Sequence, residues 1–176
     1  MILVGKRTTI IFDQRDRQYL EQLIRDGKEV GIKPFITKMM DVYRTIGIQD
    51  WKFPGEYYIG MSRSAFFSQQ NIQQMIDLIP PEKQRDAAHS IGEITGISLH
   101  AGLNLDPHKR ENWSKILDRL RILGYGDLML RDDYIVVRNP FINNLTFLTG
   151  FLEGVLNSKL VAKLTTSPLV FEISKE

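Results

Sequence analysis

The feature that most constrains this chain is a short strand-like stretch with no strand near it to pair with. Lys6-Arg7-Thr8-Thr9-Ile10-Ile11-Phe12, closed by Asp13, is rich in β-branched side chains, which suit a pleated backbone. Alternation puts Thr8, Ile10 and Phe12 on one face and Arg7, Thr9 and Ile11 on the other. No second convincing strand occurs before about Phe53. An unpaired strand carries a row of unsatisfied N–H and C=O groups, so it must find a partner elsewhere. That partner is either the C-terminal part of the chain or a second copy of the same strand.

Two helices follow at once. Tyr19, Leu20, Leu23 and Ile24 recur at helical spacing in a segment from Gln14 to about Lys28, and Asp13 is a suitable N-cap. Gly27 and Gly31 punctuate a turn over Lys28 to Ile32. Pro34 suits the first turn of a second helix, where its missing N–H costs nothing. Phe35, Ile36, Met39, Met40 and Tyr43 form the apolar stripe of that helix, and Gly47 ends it. One strand and two helices in so short a span are too little to bury a stable core alone. Pairing of two such strands across a dimer supplies both the missing strand and the missing core.

The segment from Lys6 to about Tyr43 resembles the ribbon-helix-helix family of DNA-binding proteins. The resemblance is carried by R-T-T-I-I-F-D, by Leu20, Leu23 and Ile24, and by G-I-K-P-F-I-T-K-M-M-D-V-Y. It implies a homodimer whose antiparallel ribbon enters the major groove of double-stranded DNA. The outward ribbon positions fall on Arg7, Thr9 and Ile11, with Lys6 beside them. Arginine forks onto a guanine edge, and threonine bonds a base or touches a thymine methyl. Ile11 stands where a polar residue is usual and offers apolar contact instead. The phosphate anchor that the family places at the start of the second helix falls on Lys33-Pro34-Phe35, with Lys33 supplying charge where Ser or Thr is usual. The expected DNA-binding residues are therefore Lys6, Arg7, Thr9, Ile11, Lys33 and Phe35. Between Lys6 and Arg44 basic residues outnumber acidic ones by nine to six, while the whole chain carries only +2.

Residues 48–62 are aromatic and glycine-bearing (Trp51, Phe53, Gly55, Tyr57, Tyr58, Gly60), which predicts an ordered connector or short strand. The expected division is residues 1–47, connector 48–62, and a second domain over 63–176. In that second domain helices are expected from Ser64 to Ile79, from Glu82 to Leu103, from His108 to Leu123 and from Asn143 to Asn157. Gly92 and Gly96, one turn apart on the second of these, invite close approach of another element. Asp127 to Arg131 and Tyr134 to Arg138 read as a hairpin, and Lys159 to Leu164 with Leu169 to Ile173 as closing strands. The fold class expected for the chain is α+β, with helices packed on an antiparallel sheet.

From about Arg85 to Ile173 this half resembles the four-vinyl reductase domain, a ligand-binding family related in fold to TRAPP transport-particle subunits. The residues that carry it are S-I-G-E-I-T-G, L-G-Y-G-D, the hairpin end V-V-R-N-P, and L-T-G-F-L-E-G-V-L followed by F-E-I. The resemblance implies an apolar pocket that senses aromatic, hydrocarbon or tetrapyrrole-like compounds. The cysteines that relatives often carry near the end are missing here. Trp113, Tyr125, Tyr134 and Phe147 are the candidate pocket residues, each of which can equally be ordinary core.

The candidate chemistry is thin. His89, His100 and His108 have no chelating spacing, so no metal is expected. Asp132-Asp133 sits at a hairpin tip and reads as a turn rather than an acid/base pair. No nucleophile elbow, phosphate-cradling loop or dinucleotide fingerprint occurs, and no catalytic residue or cofactor is expected. Absence of cysteine fits a reducing cytoplasm, and neither Met1–Val4 nor any later apolar run reaches the length of a signal or membrane span. These readings together predict a dimeric or tetrameric DNA-binding transcriptional regulator with a small-molecule sensing and oligomerisation domain. The alternatives are a ligand carrier or assembly protein whose N-terminal arm only dimerises, a reductase-accessory or tetrapyrrole-handling enzyme, and a DNA-binding protein whose second domain is purely an oligomerisation unit.

Overall fold

The structure, a computed structural model, describes residues 9–48, 51–52, 54–59 and 62–174. By its internal contacts the chain divides into two compact units, Met1–Thr45 and Ile46–Glu176.

The first unit is a helix pair. Helix α1 (Gln14–Arg25) starts where Asp13 Oδ1 accepts the N–H of Asp16 at 2.8 Å, as an N-cap should. Gly27, at φ +68°, turns the chain, and the N–H groups of Lys28 and Glu29 bond back to the Leu23 carbonyl. Helix α2 (Ile32–Val42) follows and is prolonged by one wide turn over Tyr43–Gly47. A 2.6 Å ion pair from Lys38 to Glu29 ties α2 to the turn before it. Only Leu20 is buried in this unit among the described residues, and α2 buries none of its side chains. Of the ribbon, Lys6, Arg7 and Thr8 lie outside the described residues. Residues 9–13 form no strand with any described part of the chain.

The second unit is α+β. A two-stranded hairpin, β1 (Tyr57–Ile59) and β2 (Ser62–Ser64), opens it. Helix α3 (Gln69–Asp77) begins later than the apolar spacing predicts. Ser64 belongs to β2, and Ser68 caps the helix by accepting the Asn71 N–H at 3.1 Å. Helix α4 (Pro81–Leu103) has proline at its first position and a left-handed Asn104 at its end. Helix α5 (Trp113–Ile122) also starts late. Asp106 accepts the His108 N–H in a side-chain-closed turn, and a single 3₁₀ turn over Arg110–Asn112 leads in.

Strands β3 (Asp127–Arg131) and β4 (Tyr134–Arg138) form the predicted hairpin around a left-handed Asp132. Helix α6 (Leu145–Leu156) comes next, capped by Asn144, which accepts the Phe147 N–H at 2.9 Å. Strands β5 (Leu160–Leu164) and β6 (Leu169–Ile173) close an antiparallel sheet of order β3-β4-β6-β5. The last strand thus inserts between β4 and β5. Ile135, Val137, Leu169, Phe171 and Ile173 alternate inward and are buried beneath the helices.

Helix α6 is buried on every side from Phe147 to Leu156, as its apolar composition requires. It lies along α4 with backbones in contact. A Cβ on Gly92 would stand 2.2 Å from the Phe151 carbonyl oxygen, on Gly150 2.3 Å from that of Arg85, and on Gly154 2.1 Å from that of His89. The close approach that Gly92 and Gly96 invite is therefore real, and α6 answers it with glycines of its own. One charge is taken inside. Glu153, 2% exposed, receives a two-pronged bond from Arg85 (2.8 and 2.9 Å) and accepts the Leu160 N–H at 2.9 Å. It joins α6, α4 and the start of β5 at one point.

Candidate ligand site

The second unit holds a cavity of about 540 Å³, within the range of small-molecule sites. Most of its aromatic wall and its α3 side come from four stretches. The aromatic segment gives Trp51, Tyr57, Phe66 and Phe67. Helix α3 gives Ile72, Met75 and Ile76. The turn after α5 gives Gly124 and Tyr125, and α6 gives Phe147 and Phe151.

Each wall is fixed by local chemistry. Trp51, Tyr57 and Phe66 meet pairwise edge-on with ring centres 5.0–5.5 Å apart, and Trp51 Nε1 donates to the Tyr58 carbonyl at 2.7 Å. Gly124 and Gly126, both at positive φ, turn the chain so that Tyr125 stacks flat on Phe151 at 4.9 Å. A Cβ on Gly126 would also stand 3.1–3.2 Å from the backbone of Arg138, Asn139 and Pro140, a crowded fit at a φ that favours glycine. Gln69 Nε2 bonds the Phe141 carbonyl at 2.8 Å, and Gln84 links Asn144 to the Ile79 carbonyl. These bonds set α3 against the loop before α6.

Among the described residues no charged side chain lines the cavity. The polar side chains in the lining are those of Ser64, Tyr57, Tyr125 and Trp51, and the Trp51 indole N–H is bonded to the Tyr58 carbonyl. Burial holds the Tyr125 phenol above its ordinary pKa, so it meets a ligand as a neutral donor or acceptor. A site of this kind binds by apolar contact and ring stacking.

The expected pocket residues divide evenly. Phe147 and Tyr125 line the cavity. Trp113 does not: it is 6% exposed core and gives its N–H to the Pro107 carbonyl at 2.6 Å. Tyr134 stands on β4, 40% exposed, away from the lining. The walls that sequence reasoning missed are Trp51, Tyr57, Phe66 and Phe67. Trp51 and Tyr57 fall in the expected connector 48–62, and Phe66 and Phe67 in the helix expected from Ser64 to Ile79, which starts only at Gln69.

The DNA-reading residues are placed as follows. Lys6 and Arg7 lie outside the described residues. Thr9 and Ile11 are exposed, Lys33 is exposed in the first turn of α2, and Phe35, two residues on, is half-buried. Gly31 offers α2 no side-chain cap. Of the remaining candidates, Asp132 and Asp133 form the hairpin turn, where Arg110 bonds the Asp132 carbonyl and the Asp133 carboxylate (2.6 and 2.7 Å). His108 Nδ1 pairs with Asn157 Nδ2 at 2.9 Å, and His89 lies 3.7 Å from Glu93. Among the described residues no group of three His, Asp or Glu side chains can hold a metal, and no helix is long and apolar enough to cross a membrane.

No family model, curated protein or solved structure matches this chain, so both resemblances rest on the residues quoted for them.

Proposed function

We propose that this chain is a dimeric transcriptional regulator: a ribbon-helix-helix arm reads the DNA major groove, and the second unit senses a small apolar, ring-bearing molecule. The observation that carries the DNA-binding half is the unfinished core of the first unit. Among its described residues Ile10, Tyr19, Val30, Ile32, Met39, Met40 and Tyr43 are exposed and only Leu20 is buried. An isolated pair of helices with that surface is not a stable fold, whereas two copies joined through a paired ribbon bury it. The same pairing satisfies the backbone of residues 6–12 and places two sets of Arg7, Thr9 and Ile11 side by side.

The ligand half rests on the 540 Å³ cavity with its aromatic, uncharged walls. Coupling between the halves requires the ligand to prefer one packing of the two second units over another. Ile11, 91% exposed at an outward ribbon position, favours a second reading in which the arm only dimerises and the protein is a carrier.

Electrophoretic mobility shift with the DNA upstream of the protein's own reading frame separates the two. The regulator reading expects salt-sensitive, sequence-preferring binding, with affinity falling steeply as salt rises. Binding to no tested site, with a dimer still present in solution, leaves the carrier.

A further inference from the structure

Tyr125 is fixed in the cavity wall, and its hydroxyl has no partner among the described residues. The backbone is pinned on both sides of the ring. The Tyr125 N–H donates to the Leu120 carbonyl, and the Tyr125 carbonyl accepts the Phe141 N–H, each at 3.1 Å. The ring lies on Phe151, another wall residue, with 10° between the two planes. No charge and no hydrogen bond acts on the phenol; burial alone raises its pKa. The Trp51 indole, by contrast, already gives its N–H to the Tyr58 carbonyl. In an open cavity water serves a hydroxyl of this kind. A hydrocarbon that displaces the water strands the hydroxyl, and a stranded polar group costs more than an ordinary hydrogen bond gains. The wall therefore favours a ligand that brings a polar atom of its own.

We propose that the ligand is an uncharged ring system bearing a carbonyl oxygen, and that the Tyr125 hydroxyl donates to that oxygen and selects it over the matching hydrocarbon. This rests on the ligand reading given under Proposed function and narrows it. The choice of a carbonyl follows from what one phenol can satisfy. A carbonyl oxygen brings no proton and is served by a single donor, whereas a ligand hydroxyl or amide N–H brings a proton that needs an acceptor as well. A carboxylate fails for a different reason: among the described residues no Lys, Arg or His lines the cavity to meet its charge. Phe141, Phe147 and Phe151, also in the lining, take the rest of the molecule by stacking and edge contact. Because backbone bonds and stacking already hold the phenol, little freedom is lost when the bond to the ligand forms.

Fluorene and 9-fluorenone are a matched pair of fused-ring probes in which a CH2 is replaced by C=O. Binding of each to the full-length protein is measured by equilibrium dialysis, for wild type and for Tyr125→Phe, which removes the oxygen and keeps the ring on Phe151. The quantity to read is the ratio of the two affinities, since comparing it between the two proteins cancels the probes' difference in hydrophobicity. Tyr125→Phe is expected to lower the fluorenone-to-fluorene ratio about tenfold, by weakening fluorenone, by strengthening fluorene, or both. An unchanged ratio with both probes bound overturns the carbonyl assignment and leaves the ligand reading standing. Binding of neither probe to wild type overturns the ligand reading and this inference with it.

The bond itself is read by infrared spectroscopy. Fluorenone bound to wild type should show its C=O stretch at lower wavenumber than in hexane, and Tyr125→Phe should return it toward the hexane position. A stretch at the hexane position in wild type overturns the proposal, whether or not the Tyr125→Phe chain folds. The same lowered stretch in both proteins, with the thermal transition of the variant unchanged, assigns the bond to another donor and overturns it equally.

Discussion

Replacing Gly154 by alanine tests the packing on which the second unit depends. A methyl group there would stand 2.1 Å from the His89 carbonyl oxygen and 2.8 Å from the Glu93 nitrogen, both backbone atoms of α4 that no rotamer change can move. Relief to ordinary contact requires α4 and α6 to part by about 1 Å, and a gap of that size forfeits a quarter to a half of each contact across it. Overpacking of this kind costs about 1–3 kcal/mol, and the helix-forming preference of alanine returns at most about 1 kcal/mol. Gly154→Ala should therefore destabilise, lowering the urea midpoint with little change in slope. Gly92→Ala meets the Phe151 carbonyl oxygen at 2.2 Å and should behave alike. The double variant should cost less than the sum, since helices already parted have room for the second methyl. Gly102, on the same helix α4, has nothing within 4 Å of a built Cβ, so Gly102→Ala should stabilise by a few tenths to about 1 kcal/mol. The reasoning is refuted if Gly154→Ala is neutral or stabilising in urea titrations followed by circular dichroism.

Three further outcomes are expected. Arg7→Ala should relax sequence preference at one position per half-site by about 1–3 kcal/mol and lower the salt dependence of binding, read by mobility shift on a set of substituted operators; unchanged affinity and specificity would exclude this register of the ribbon. Burial pushes the Glu153 carboxyl up, but the Arg85 bond, the Leu160 N–H and the nearby charges of Arg85 and Lys159 outweigh it, so its pKa is lowered. The stability this pair supplies is complete above the unfolded carboxyl value of about 4.3 and is lost as pH falls through the lower folded value. Glu153→Gln should cost about 2–4 kcal/mol at pH 7, discounted because Arg85 is half exposed, and should flatten the acid limb of the stability curve; an acid limb like that of wild type would rule the linkage out. Asn144→Ala removes the α6 cap and strands Gln84, and should cost about 1–3 kcal/mol, seen as a fall of several degrees in Tm with the fold retained.

The elements of the second unit were legible wherever the pattern was local. The hairpin Asp127–Arg131 and Tyr134–Arg138, the closing strand Leu169–Ile173 and the helix ending at Leu103 stand where periodicity and turn residues place them. The starts of α3 and α5 came later than expected because Ser68 and Asp106 use side-chain oxygens to hold the chain in turns, which apolar spacing does not register. Half of the expected cavity wall was legible. Phe147 and Tyr125 were named, whereas Trp113 and Tyr134, equally aromatic in the sequence, went to the core and to the sheet. Composition cannot tell a ring that packs from a ring that lines a space.

The sequence by itself determined the alternation of helices and strands, the absence of cysteine chemistry, and the incompleteness of the first forty residues as a folding unit. It also carried the glycines at 92, 96, 150 and 154, whose meaning depends on which helix meets which. Tertiary structure decided that α4 and α6 are the pair in backbone contact, and that Trp51, Tyr57, Phe66 and Phe67 line a cavity. It also decided that the face of α4 opposite its glycines stays bare. The physical reason is range. Propensity, capping and periodicity act within a few residues, while burial is settled between segments tens of residues apart in the chain.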